Sequence, residues 1–160
     1  MNQTGTYVNI MKESLVRKEK YLQEILELTN KQGELAVASE LDEEAFGVIV
    51  DKKDVLISNV NEIDKGFTAV YDRVRKEIIQ NKDLYKDELK GIQESIRRCV
   101  DLGMAIESSE LRNKSALETA FAKSFRGVKQ LKQSKQVANK YYKSMSNGMI
   151  NDSILYDRKK

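Results

Sequence analysis

Apolar residues in the middle of the chain recur at the three- and four-residue spacing of an amphipathic helix. Between residues 49 and 74 they are Ile49, Leu56, Val60, Ile63, Phe67, Val70 and Val74. Lys53 is the only polar residue at a position of this stripe. Repeated seven-residue periods predict a long helix that packs against other helices along one side.

Two further stripes flank the first one. The later stripe begins with Tyr85, Leu89, Ile92, Ile96, Cys99, Gly103 and Ile106. It weakens through Glu110 and Asn113 and recovers at Leu117. The earlier, broader face consists of Val8, Met11, Leu15, Leu22, Ile25, Leu26 and Thr29. Because short connections make neighbouring helices antiparallel, the chain is predicted to be all-α, an elongated antiparallel bundle or coiled coil of about three long helices.

The boundaries of these helices have local signals. Gly33 stands where a left-handed C-cap residue would end the first helix, and a turn is expected near residues 34–41. Ser39 or Asp42 is expected to cap the second helix, since the residues that follow, Glu43 and Glu44, suit the positive end of a helix dipole. The third start is expected at Asn81 or Asp83. Without Gly or Pro nearby, a kinked continuous helix is the alternative.

The last helix is predicted to be longer than its partners. At about 1.5 Å per residue, residues 84–146 span roughly 95 Å and residues 42–80 about 58 Å. Residues beyond about 120 would overhang the bundle, fold back at Gly127 or bind another chain. The periodicity stops after Met145, so we expect one domain over residues 1–145 and a flexible tail over residues 146–160.

Composition argues against catalysis. The chain has no histidine, the commonest general base and metal ligand near neutral pH, and its single cysteine, Cys99, lacks that usual partner for a thiolate nucleophile. We expect Cys99 to be a buried small apolar residue. The sequence predicts no enzyme, no cofactor and no metal site.

The first 20 residues contain no apolar leader segment, and the longest uninterrupted apolar stretch, residues 45–50, is far too short to cross a membrane. We therefore expect a soluble, cytoplasmic protein without membrane insertion.

Charge divides the chain into two regions. Residues 1–120 carry 18 basic and 23 acidic residues, whereas residues 121–160 carry 10 basic and 2 acidic residues. One side of the C-terminal segment is basic through Lys123, Arg126, Lys129, Lys132, Lys135, Lys140 and Lys143. Such a face attracts nucleic acid. The aromatic residues nearby lie on or near an apolar stripe instead of in a charged groove, so nucleic-acid binding is only an alternative.

That apolar stripe has no evident partner within the chain. Its candidate partner-binding residues, here called the C-terminal stripe, are Leu117, Phe121, Phe125, Val128, Leu131, Tyr141, Tyr142 and Met145. An apolar face left over after a bundle is built predicts docking of a partner helix or of a second copy, and hence a homo-oligomer. The alternative is that the stripe folds back onto the first helix. Lys53, at its stripe position, has two interpretations. It fixes the register in which the helices pack, or, as is more common, it extends its amine to solvent near the bundle end.

With the helices placed, the chain resembles flagellar export chaperones of the FlgN type, particularly those of Gram-positive bacteria. The resemblance covers nearly the whole sequence. It is carried by LQEILELTNKQGEL in the first helix, SELDEEAFGVIVDKKDVLISNVNEID into the second, EIIQNKDLYKDELKGIQESIRRCVDLGMAIESSELRNK in the third, and the ending ANKYYKSMSN with LYDRKK.

The resemblance implies a cytosolic helical protein that holds hook–filament junction proteins before type III export and shields their terminal segments from aggregation. It also implies delivery to an export-gate component, with the C-terminal helix as the docking part. A C-terminal tyrosine, Tyr141, Tyr142 or Tyr156, would contact the gate. A structural coiled coil that dimerises through its last helix is the other alternative.

Overall fold

The structure, a computed structural model, describes residues 3–122 and contains three long helices within that range. They are α1 (Gln3–Ala36), α2 (Glu43–Gln80) and α3 (Lys86–Ala122). This confirms the predicted all-α fold of three long helices. The predicted domain end at residue 145 and the tail over residues 146–160 lie outside the described residues.

The start of α2 follows its local sequence signal, but α3 begins at Lys86 and not at Asn81 or Asp83, so the predicted start of the third helix is wrong. Asp42 is the N-cap of α2, and its carboxylate accepts a hydrogen bond of 3.0 Å from the backbone N–H of Ala45. Asn81 ends the same helix, with its backbone N–H donating to the carbonyls of Glu77 and Ile78. Residues 81–85 form turns before α3 begins. The alternative of one continuous helix is therefore wrong.

Gly33 does not end α1, contrary to the prediction. The helix continues to Ala36, and no described glycine has a positive φ. A Cβ atom on Gly33 would lie 2.6 Å from Oδ1 of Asn113. The small size of glycine leaves room at this point for the Asn113 side chain of α3, which a Cβ atom would displace.

Helix α1 lies between the other two. It approaches both α2 and α3 closely, whereas no Cα atom of α2 comes within 8 Å of one of α3. Helices α1 and α3 run in the same direction, and α2 runs antiparallel to both, as the cross-helix pairs Lys53–Gln32 and Arg98–Glu19 require. The ends of α1 and α3 and the start of α2 therefore lie at the same end of the bundle.

The buried side chains form two apolar clusters along the bundle. The larger one, towards the α2–α3 turn, contains Val8, Met11, Leu15, Phe67, Tyr71, Val74, Ile78, Tyr85, Ile92 and Ile96. The smaller one contains Leu22, Ile25, Ile57, Val60, Cys99 and Ile106. Cys99 is 1% exposed, which confirms its predicted burial.

Candidate functional site

The start of the C-terminal stripe lies beside the connection between α1 and α2. Gly33 is adjacent to Asn113, and Ala36 faces the same space as Ala116, so the last turns of α3 pass the end of α1. Leu117 is half-buried there, and Phe121 lies in the last turn of α3. The other six predicted residues, Phe125, Val128, Leu131, Tyr141, Tyr142 and Met145, lie outside the described residues.

A cleft of about 680 Å³ separates the α1–α2 connection from the last turns of α3. We call it the end cleft. Alanines at positions 36, 116 and 120 form part of its wall, and their short side chains leave the space between the two segments unfilled. Val37, also in the wall, is 75% exposed. An apolar side chain this exposed, beside a concave surface, is typical of a docking position.

The edge of the end cleft is acidic. Glu40 and Glu43 line it, and residues 34–44 contain five carboxylates and no lysine or arginine. Asp42 caps α2, and Glu43 and Glu44 lie in its first turn, where negative charge suits the helix dipole. Like charges this close together produce a negative potential that attracts cationic groups.

Beneath the end cleft, polar side chains from all three helices meet in the core. The Nζ of Lys53 donates to Oε1 of Gln32 over 2.6 Å and forms an ion pair with Glu110. The hydroxyl of Thr29 donates to Glu110 over 3.3 Å, and Nδ2 of Asn113 donates to the Thr29 carbonyl over 2.7 Å. We call these five residues the polar layer.

Burial governs the electrostatics of the polar layer. Desolvation lowers the pKa of Lys53 below its ordinary value of 10.5, and the charge of Glu110 opposes this shift. Lys53 is only 5% exposed. The expectation that its amine extends to solvent is therefore wrong, and the alternative, that it marks the register, fits its partners on α1 and α3.

A second charged pair lies nearer the middle of the bundle. Lys18 of α1 and Asp64 of α2 approach to 2.7 Å, with 3% and 11% of their side-chain surfaces exposed. Burial raises the pKa of Asp64, and the ammonium of Lys18 opposes the shift. One oxygen of the Asp64 carboxylate, Oδ2, has no hydrogen-bond partner among the described residues. Both buried pairs thus join α2 to another helix.

The polar layer was not predicted from the sequence, although its signal is present there. Lys53 interrupts one apolar stripe, and Glu110 and Asn113 weaken another. A lysine in one apolar stripe and a glutamate in another indicate that the two charged side chains contact each other when the helices pack together. The end cleft had no comparable signal, because its shape depends on how α3 passes the α1–α2 connection.

The described residues contain no metal-binding cluster, and their charged core groups are paired with one another. Among the described residues, no group of three or more histidine, cysteine, aspartate or glutamate side chains is placed to hold a metal ion. The charged groups in the core are already engaged with one another in the polar layer and in the Lys18–Asp64 pair. Besides the end cleft, the described surface has a smaller groove of about 430 Å³ between α1 and α2, bordered by Leu28 and Val55.

Comparison with known proteins identifies no relative. No protein-family model, curated protein or solved structure matches the chain. Over residues 3–122, none of the three helices combines the length and apolar character needed to cross a membrane.

Proposed function

We propose that the protein is a cytoplasmic chaperone or adaptor, without enzymatic activity, that binds a segment of another protein along the C-terminal stripe. Its client would be a hook–filament junction protein, which it would keep from aggregating and deliver to an export-gate component of the flagellar type III system. The support for this particular client and pathway is the resemblance of the sequence to FlgN-type chaperones.

One structural observation carries the binding part of the proposal. Helix α3 continues beyond the level of Ala36, where α1 has ended, and the sequence of this extension contains Leu117 and, four residues later, Phe121. Leu117 is only half-buried there. A helix that continues past its partner with apolar residues at successive turns offers a surface for an amphipathic segment of another chain.

The test is binding of purified hook–filament junction proteins to the full chain and to two matched double variants. Phe125→Asp with Val128→Asp places charge on the C-terminal stripe. Met104→Asp with Leu111→Asp places the same charge on the outer face of α3, where both residues are 58% exposed. We expect the first variant to lose binding and the second to retain it.

Two results would contradict the proposal. Equal binding by both variants would remove the C-terminal stripe from the site, and no binding of any junction protein by the wild-type chain would remove the client. Light scattering on the same samples tests the alternatives. A stable dimer that the first variant abolishes would indicate a structural coiled coil. A complex with nucleic acid whose affinity falls steeply with salt would indicate that the basic face binds nucleic acid.

A further inference from the structure

The end cleft lacks a cover within the described structure, and the composition of its wall limits what can occupy it. Its lining combines small apolar residues, among them Ala36, Ala116 and Ala120, with polar Ser39 and Thr119 and with two acidic residues, Glu40 and Glu43. Both glutamates are exposed. A complementary occupant therefore combines apolar side chains, which contact the alanines, with positive charge near the two glutamates.

The chain itself contains such a segment. Residues 123–145 include seven lysines and arginines, no acidic residue, and the apolar positions Val128 and Leu131. Residues 1–122, by contrast, have a net charge of −5, with 18 basic and 23 acidic residues. The two parts of the protein are thus complementary in charge.

Connectivity places this segment at the cleft. Thr119 and Ala120 line the end cleft, and Lys123 is only three residues further along the chain than Ala120. Gly127, the only glycine in residues 123–145, is a residue at which a helix can reverse with little steric penalty. A tethered segment has an effective concentration on the order of millimolar at a site it can reach, which no free partner matches easily.

We propose that residues 123–145 fold back at Gly127 and bind in the end cleft of the same molecule, with apolar side chains against its alanines and cationic groups against Glu40 and Glu43. This docking stands on charge, shape and connectivity and does not depend on the client proposal. A docked segment would also be withheld from any client, so the cleft would set how much of the protein is free to bind.

Paramagnetic relaxation in the full chain tests the docking directly. A spin label at Val48→Cys lies near the end cleft, and one at Ile79→Cys lies at the other end of α2, about 46 Å away. These positions are matched, since the two native side chains are 47% and 52% exposed. With Cys99→Ala to remove the native thiol, we expect the label at position 48 to broaden the amide signals of residues 135–145, which an undocked helical extension would place about 20–35 Å beyond Ala122. The label at position 79 should leave these signals sharp.

Reversing the acidic charges at the end cleft is the second test of the docking. Glu40→Lys with Glu43→Lys changes one connection residue and one first-turn residue at the cleft, and Asp83→Lys with Asp87→Lys does the same at the opposite end. We expect the first variant to lose most of the broadening and the second variant to retain it. Raising the salt concentration to about 1 M, where the Debye length is about 3 Å, should also reduce it.

Equal broadening from both labels, or none, would overturn the proposal. Broadening seen only when spin-labelled chains are mixed with isotope-labelled ones would overturn it as well, because the occupant would then be a second copy. If Cys99→Ala impairs folding, as circular dichroism would show, the same labels can be attached with Cys99 retained, since that thiol is 1% exposed.

Discussion

The two ends of the bundle are built on different principles. Towards the α2–α3 turn, ten buried apolar and aromatic residues pack together in one cluster. Towards the α1–α2 connection, the polar layer crosses the core and the end cleft lies above it. Apolar burial is non-directional and stabilises any alignment that removes surface from water, whereas hydrogen-bonded charges are satisfied only when specific atoms meet.

The two ends of the bundle have different roles in the fold. The apolar end supplies most of the favourable burial. We infer that the polar layer fixes the register of the three helices where α3 leaves the bundle, and so fixes the end cleft. The predictions that follow test this division, starting with the largest expected effect.

Removing the carboxylate of the polar layer should have the largest effect. Glu110→Leu would leave Lys53 buried without its ion-pair partner, and we expect the free energy of unfolding to fall by about 3–5 kcal/mol. Glu94→Leu, on the exposed face of the same helix, should change it by less than about 0.5 kcal/mol. Urea denaturation measures both.

The double variant Lys53→Met with Glu110→Leu separates stability from register. Replacing both charges by apolar residues should restore the free energy of unfolding to at least the wild-type value, since a buried ion pair often contributes less than packed apolar residues. A deficit in the double variant as large as that of Glu110→Leu would show that the polar layer stabilises the fold and does not mainly fix its register.

A cavity at the apolar end should have a comparable or somewhat smaller effect. Ile96 is 0% exposed, and Ile96→Ala should lower the free energy of unfolding by about 2–5 kcal/mol through lost burial and the cavity left behind. Met104→Ala, at a 58% exposed position of α3, serves as the control. If the two variants unfold at the same urea concentration, the apolar end does not dominate stability as described.

Two glycine substitutions should act in opposite directions. Gly33→Ala would push Asn113 out of the polar layer and break its hydrogen bond to Thr29, lowering the free energy of unfolding by about 1 kcal/mol. Gly66→Ala, where nothing lies within 4 Å of the added Cβ atom, should raise it by roughly 0.5–1 kcal/mol. Thermal unfolding of both variants checks the signs, and stabilisation by Gly33→Ala would contradict the close approach of α3.

The smallest effect concerns pH. Because burial raises the pKa of Asp64 above its ordinary value of 3.8, the folded protein holds this proton more tightly than the unfolded chain. The contribution of Asp64 to stability is therefore fully present below pH 3.8 and is lost as the pH rises through the raised pKa. Comparing the free energy of unfolding of wild type and Asp64→Asn as a function of pH isolates this contribution. Identical slopes for the two proteins above pH 3.8 would refute it.

The sequence predicted the helices better than the residues that face the core. Ile49, Val60, Phe67 and Val74 are buried as expected. At other stripe positions of α2 the prediction was less accurate: Leu56, Ile63 and Val70 are half-buried, while the neighbours Ile57 and Tyr71 are buried. A strict seven-residue repeat drifts around a straight helix, so an exact periodicity does not track the buried face.

The site was predictable only in part. Periodicity indicated that Leu117 begins a renewed stripe, and α3 does pass the end of α1; the predicted extension of the last helix to residue 146 lies outside the described residues. It could not reveal that Lys53, Glu110 and Gln32 meet, because that depends on the register between three helices. The end cleft depends likewise on short side chains at Ala36 and Ala116 facing each other, which neither position indicates alone.

The central position of α1 has a consequence for how the protein opens. If α2 or α3 detaches in a local fluctuation, α1 keeps its contacts with the helix that remains. Amide hydrogens around Leu22 and Ile25 should therefore exchange with solvent only when the whole bundle unfolds, while those of α2 and α3 also exchange through partial openings. The last amides to exchange would then lie on α1.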